Sequence, residues 1–191
     1  MPLTKAQLKA LTFKAGEVPQ AREGGIALQE LSTGDADPSS PPVSNPSCEV
    51  LRGIRKGADS AVVVSQLFNW KGDIYPASST IAAYGDGTAR KVFAELERAL
   101  GACRSYSGED YVGKFKVAVK MEKDPDLGDE AVRFREIVPI KDLGDRDEQF
   151  TLVRSGNVIV TFQAMNIAGS SSFPEDLIDK QVERLREAQR K

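Results

Sequence analysis

Histidine is absent from this sequence, and the absence excludes more chemistry than any motif present admits. Without imidazole, the chain alone builds no Ser-His-Asp triad, no Cys-His pair and no His-ligated zinc site. Catalysis would have to rest on carboxylates, lysine, tyrosine or serine. Long apolar runs are also missing, so no segment is predicted to span a bilayer as a helix. An excess of one charge is missing too, since 26 Lys and Arg stand against 28 Asp and Glu for a net charge of -2. A dedicated nucleic-acid binder carries a basic domain or stripe. The one basic cluster here, Arg184 to Lys191, is interrupted by Glu187 and reads as a solvated helix face. No nucleic-acid partner, metal or cofactor is expected. A signal peptide is missing as well, because Met1-Pro2-Leu3 runs straight into a polar amphipathic segment. An exported product is therefore expected to reach this form by loss of its targeting segment.

Cysteine is scarce, with only Cys48 and Cys103. Count alone leaves two readings open. Buried thiols pack as small hydrophobes in a cytosolic protein, and a bridge forms in an oxidising compartment. Context favours the bridge. Cys48 follows a floppy proline-rich segment that a tether would fix, and Cys103 ends the inward stripe of an amphipathic helix.

The 191 residues, 40% of them hydrophobic, suit one domain with a sizeable core. A short helix is predicted over 3–13, with Thr4 as N-cap and Leu8 and Leu11 at helical spacing. Val18-Pro19 and Gly24-Gly25 break any helix over 14–33, while Ile26, Leu28 and Leu31 suit a short edge strand. Residues 34–47 (GDADPSSPPVSNPS) bury almost nothing and read as a solvated connector. Residues 60–69 read as a buried strand, NWKGD as the turn after it, and 74–84 as a second strand or irregular lead-in.

The strongest helix signal covers 88–103, where Ala89, Val92, Phe93, Leu96, Leu100 and Cys103 share one stripe and Thr88 is the expected N-cap. Strands are expected over 112–121, 130–140, 149–154 and 158–165, the last two joined by a hairpin at Ser155-Gly156-Asn157. A helix over about 173–190 closes the chain, with Ile178, Val182 and Leu185 inward, Pro174 in its first turn, and a capping box from Ser172 and Glu175. The expected fold class is α+β, an antiparallel β-sheet with two main helices packed against it and one disulfide. Residues 1–47 form the N-terminal helix and Pro/Ser-rich loop of the same unit, and 48–191 form its α+β core.

Motifs that carry chemistry are weak. The acidic stretch Asp124 to Glu130 lacks the EF-hand order of ligands and reads as a solvated turn, as does Asp142 to Glu148. Gly85-Asp86-Gly87-Thr88 lacks the lysine and spacing of a P-loop and reads as ordinary helix capping. With 28 acidic residues, adjacent carboxylates arise by chance and make a glycosidase reading weak. Trp70 and Tyr75, near the turn after the first clear strand, are the candidate ligand-contacting residues, with covering a core edge as the alternative.

Five pieces in this order resemble one family, the PknH-like extracellular sensor domains and related exported lipoproteins of actinobacteria. They are KALTFKAGEVP near the N-terminus, Pro46-Ser47-Cys48, Phe93-Ala94-Glu95-Leu96 through Ala99-Leu100 to Cys103, Gly128-Asp129-Glu130-Ala131-Val132, and Val153-Arg154-Ser155-Gly156-Asn157-Val158 with Ile159-Val160. The resemblance implies a sensor-like, non-enzymatic binding domain outside the cell, with a cleft on an antiparallel sheet and cysteines at both positions. It implies an extracytoplasmic place in the cell envelope, with a lipid anchor as the membrane link. The expected partner is an unidentified extracellular small molecule or an envelope protein. The alternative is an envelope protein-protein interaction module with no small-molecule ligand. The family pattern has two bridges, whereas this chain carries one cysteine pair, and no kinase segment is present.

Overall fold

Period-two alternation on a single sheet builds this fold, with the central strands feeding two separate cores. The computed structural model describes residues 1–29, 42–110 and 113–190. Leu31, Val112, Lys191 and the 34–41 part of the expected connector lie outside the described residues. Along the chain come α1 (Lys5–Leu11), β1 (Ala21–Gln29), α2 (Pro46–Arg55), β2 (Val62–Trp70), β3 (Ala77–Ala83), α3 (Thr88–Ala102), β4 (Ser105–Asp110), β5 (Gly113–Met121), β6 (Glu130–Ile140), β7 (Gly144–Ser155), β8 (Val158–Ile167) and α4 (Glu175–Gln189). The strands form one antiparallel sheet in the order β1-β2-β3-β8-β7-β6-β5-β4. The expected α+β class is thus the observed one.

Adjacent residues on a strand point to opposite faces. Val63, Ala82, Leu152 and Ile159 join a core with Leu51 and Ile54 of α2 and Phe93 and Leu96 of α3. Their neighbours Val64, Ile81, Val153 and Val160 join a second core with Leu8 of α1 and Ile178, Val182 and Leu185 of α4. The result is a helix–sheet–helix sandwich, with α2 and α3 on one face and α1 and α4 on the other. Both faces need covering because the central strands are apolar on both sides.

Local chemistry sets the element ends. Thr4 caps α1 as expected, in a reciprocal box with Gln7. Gln66 holds the chain after α1 like a short β-pair: its Nε2 donates to Phe13 O at 2.6 Å and its Oε1 accepts from Phe13 N at 3.0 Å. At the β7–β8 hairpin, Ser155 pairs with Val158, and Gly156 turns the chain at φ 56°. Gln189 at the end of α4 fastens this hairpin, accepting from Asn157 N and donating to Ser155 O, both at 2.8 Å.

Several expectations are corrected. Residues 46–55 form a helix for which the sequence gives no expectation, and its first turn takes over the last two residues of the expected 34–47 connector. Asn45 accepts from Ser47 N at 3.0 Å and Pro46 fills the first turn, which suits proline because that turn needs no N–H. Strand β4 was not anticipated. Thr88 is not the N-cap of α3: Gly87 takes that place in the left-handed region at φ 71°, with no side-chain cap. The Ser172–Glu175 box does not form, and Pro174 is the cap residue. Glu175 turns instead to Arg133, at 2.9 Å. The acidic stretch 142–148 is not a solvated turn throughout, since β7 begins at Gly144 and buries Glu148.

Candidate functional site

The expected bridge is formed. Cys48, in the first turn of α2, is bonded to Cys103, the C-cap of α3, and both are fully buried. No cysteine is free. The bond fixes α2 beside α3 and so fixes Arg55, the last residue of α2, over the sheet.

Beneath Arg55 the α2/α3 face of the sheet changes from apolar to polar. In β6, Glu136 follows Val132 and Phe134 in the same inward register, and in β7 Glu148 precedes Phe150 and Leu152. Glu136 and Glu148 are direct cross-strand partners, with 2% and 7% exposure. Like charges so placed repel, and each needs a counter-charge. Arg55 Nη1 lies 2.8 Å from Glu136 Oε2, and Arg146 Nε lies 2.8 Å from Glu148 Oε1. The Arg55 guanidinium also stacks over Phe150, 4.4 Å from the ring centre.

Electrostatics holds Arg55 in its charged form. Burial alone would lower the Arg55 pKa, but the Glu136 charge, with Tyr106 and Glu148 adding, raises it above its ordinary value. Burial and the Glu136 charge push the Tyr106 phenol up, so it stays protonated beside Glu136.

From Glu148 the polar strip continues across the sheet. Gln163 Nε2 donates to Glu148 Oε2 at 3.0 Å, and Ser78 Oγ donates to Gln163 Oε1 at 3.3 Å. Thr80 pairs with Thr161 and with Ser65, whose hydroxyls extend the strip to β2. Its members are unevenly served. Glu136 Oε1 is buried with no hydrogen-bond partner, and Arg55 Nη1 and Arg146 Nε meet their carboxylates without hydrogen-bond alignment. A buried polar group left in this state costs about 1–3 kcal/mol and calls for an explanation. The strip offers donors and acceptors to a polar molecule and sums to zero charge over Arg55, Arg146, Glu136 and Glu148.

Trp70 and Tyr75 lie elsewhere. Trp70 is the last residue of β2 and points to the α1/α4 face, with its ring centre 5.5 Å from that of Phe68 and 5.8 Å from that of Phe173. Tyr75 is half-buried in the following turn, where its N–H donates to Asp73 Oδ1 at 2.9 Å. The structure does not bring either residue to the polar strip. Of the acidic turn, Asp124 accepts from Arg133 N at 3.2 Å, and Asp129 accepts from Gly156 N at 2.8 Å.

Arg55, Tyr106, Glu136, Glu148 and Gln163 were not singled out by sequence. The signal for two of them was present: each glutamate stands in phase with the apolar residues of its strand.

The sequence matches no protein-family model and no curated protein. Among solved structures, the chain is similar to the extracellular domain of PknH from Mycobacterium tuberculosis, with a TM-score of 0.67 and 12% identity, covering 100% of this chain and 99% of that one. A putative uncharacterized protein from Mycobacterium smegmatis, an Rv0999 ortholog, aligns with a TM-score of 0.41 and 11% identity over 97% of this chain and 93% of that one. The likeness to the PknH domain is one of fold, and it runs from end to end.

Proposed function

We propose that this chain is a sensor-like, non-enzymatic domain of the cell envelope that works outside the reducing cytosol and takes a small polar ligand on the Arg55–Glu136–Glu148 strip. The observation that carries the reading is the strip itself, two buried carboxylates matched by Arg55 and the half-exposed Arg146, with Glu136 Oε1 lacking a partner. The Cys48–Cys103 bond supports the oxidising compartment, and the fold shared with an extracellular domain agrees with it. A membrane link, lipid by the sequence resemblance, belongs to the same reading. A gene product with neither a lipobox nor a membrane helix ahead of residue 1 would contradict that part.

Zero local charge favours a neutral or zwitterionic ligand, because an unpaired charge pays desolvation with no counter-ion to offset it. The test is calorimetric titration of the oxidised chain with neutral sugars, polyols and amino acids, repeated on Gln163→Ala and Trp70→Ala. Saturable binding weakened at least about tenfold by Gln163→Ala, one charge-assisted hydrogen bond's worth, and unchanged in Trp70→Ala supports the strip. The reverse pattern moves the site to Trp70 and Tyr75. Saturable binding by none of these sinks the ligand reading and leaves the envelope interaction module, which the bare outer face of β5 favours.

A further inference from the structure

We infer that the outer face of β5 is a docking surface for anionic phospholipid headgroups. Helices α1 and α4 cover the sheet over β2, β3, β8 and β7. Beyond them, Lys114, Lys116, Ala118 and Lys120 stand exposed on one face of β5, while Val117 and Val119 point into the opposite core. Alternate strand residues are about 7 Å apart, so the three ammonium groups span about 20 Å.

The neighbouring cations on β6 are already neutralised. Arg135 bridges Glu122 and Asp147 at 2.7 and 2.5 Å, and Arg133 pairs with Glu175. Among the described residues, none of the three lysines has an ion-pair partner within 4.0 Å. On β4, Ser107 faces Lys116, Ser105 faces Ala118 and Glu109 stands opposite Lys114, while Asp110 pairs with Gly113 at the strand end. Among the described residues, positive charge without an ion-pair partner is therefore concentrated here, on a chain of net charge -2.

The chemistry of the row selects the partner. Lysine ammoniums are point charges on flexible stems, without the forked geometry that grips one carboxylate or phosphate. Ala118 and its cross-strand partner Ile137 stand between the charges. A broad anionic surface meets all three lysines at once, whereas a single acid group meets one. Each lysine near such a surface contributes about a fivefold gain in partition, so the row contributes on the order of 100-fold. The gain is lost as salt shortens the screening length to a few ångströms.

The test is co-sedimentation of the oxidised chain with vesicles of phosphatidylglycerol and phosphatidylcholine (1:1) and of phosphatidylcholine alone. Binding to the anionic vesicles only, reduced by more than about 100-fold in K114E/K116E/K120E and suppressed by 1 M salt, is the expected result. K114Q/K116Q/K120Q, which removes the three charges without reversing them, falls on the same side and guards against a misfolded variant. The control K91E/R98E/K141E makes the same charge change at exposed positions elsewhere and retains binding. Equal binding to both vesicles, or equal loss in the control, overturns the proposal. So does tighter binding to soluble polyglutamate than to the anionic vesicles. Failure here leaves the polar strip untouched, because Gln163→Ala lies on the other face and leaves vesicle binding unchanged.

Discussion

Reducing the Cys48–Cys103 bond is expected to lower the melting temperature by about 8–16 °C. The bond closes a separation of 55 residues. In the chain-entropy treatment, releasing a loop of that length returns roughly 4 kcal/mol of freedom to the unfolded chain. A domain of this size loses about 2–4 °C per kcal/mol, which gives the range above. The loss should be local first. Helix α2 holds to the body through Cys48, Leu51 and Ile54, and its contacts run chiefly to α3. Freed from Cys103, it loosens before α4, and Arg55 moves with it. Melting by circular dichroism with and without reductant gives the magnitude. Hydrogen exchange should then show α2 amides losing protection ahead of those in α4. Thiol titration of the denatured, unreduced chain should detect none, and both cysteines after reduction. A shift under about 3 °C, or thiols that titrate without reductant, refutes the reasoning.

Arg55→Leu leaves Glu136 buried without its counter-charge and should cost about 3–5 kcal/mol in chemical denaturation, whereas R55L/E136L should recover most of it. A double variant no more stable than the single would break the pairing argument. Gly128→Ala should destabilise by about 1–3 kcal/mol, because φ is 62° and the added Cβ would sit 2.5 Å from Val153 Cγ1 and against Arg154 O. Ala168, at φ 61°, should gain up to about 1 kcal/mol on replacement by glycine, read as a rise in the denaturation midpoint. Burial pushes the Glu122 carboxyl up, but hydrogen bonds from Arg135 and Gln149 outweigh it and hold the pKa below its ordinary value. A depressed carboxylate stabilises the fold above its unfolded pKa and loses that contribution as pH falls through the folded one. The stability gap between the native chain and Glu122→Gln should therefore be full at pH 7 and close in acid; a gap that widens below pH 4 would contradict the sign.

Periodicity made most of the framework readable. Helix α3 shows one clean apolar stripe, and β5 alternates lysine with Phe115, Val117 and Val119, so both could be placed from spacing alone. Helix α2 escaped because its start is written in connector chemistry. Asn45-Pro46-Ser47 suits a loop as well as a helix start, and the inward set Cys48, Leu51 and Ile54 is only three residues long. Strand β4 escaped because only Tyr106 of its residues is buried, which leaves no alternation to detect. The missed caps have a common cause: local hydrogen-bond rules were outcompeted at Glu175 by a long-range arginine and at Gly87 by a backbone turn.

The polar strip was half-legible, and the missing half is tertiary. Val132, Phe134, Glu136 and Val138 share a phase, as do Glu148, Phe150 and Leu152. A carboxylate in an apolar phase is a conflict that the sequence displays but does not resolve. Three outcomes resolve it: a register slip, a neutralised acid, or a cation brought in from elsewhere. Register is fixed by the Ser155–Val158 hairpin and by pairing along the whole of β6 and β7. The cations then have to come to the strip. Arg146 is supplied by the same strand, but Arg55 comes from a helix far earlier in the chain. It arrives there because the disulfide holds α2 against α3. The cysteine pair is therefore more than a sign of compartment. It positions the charge that permits Glu136 to be buried, which couples the redox state of the bond to the integrity of the candidate site.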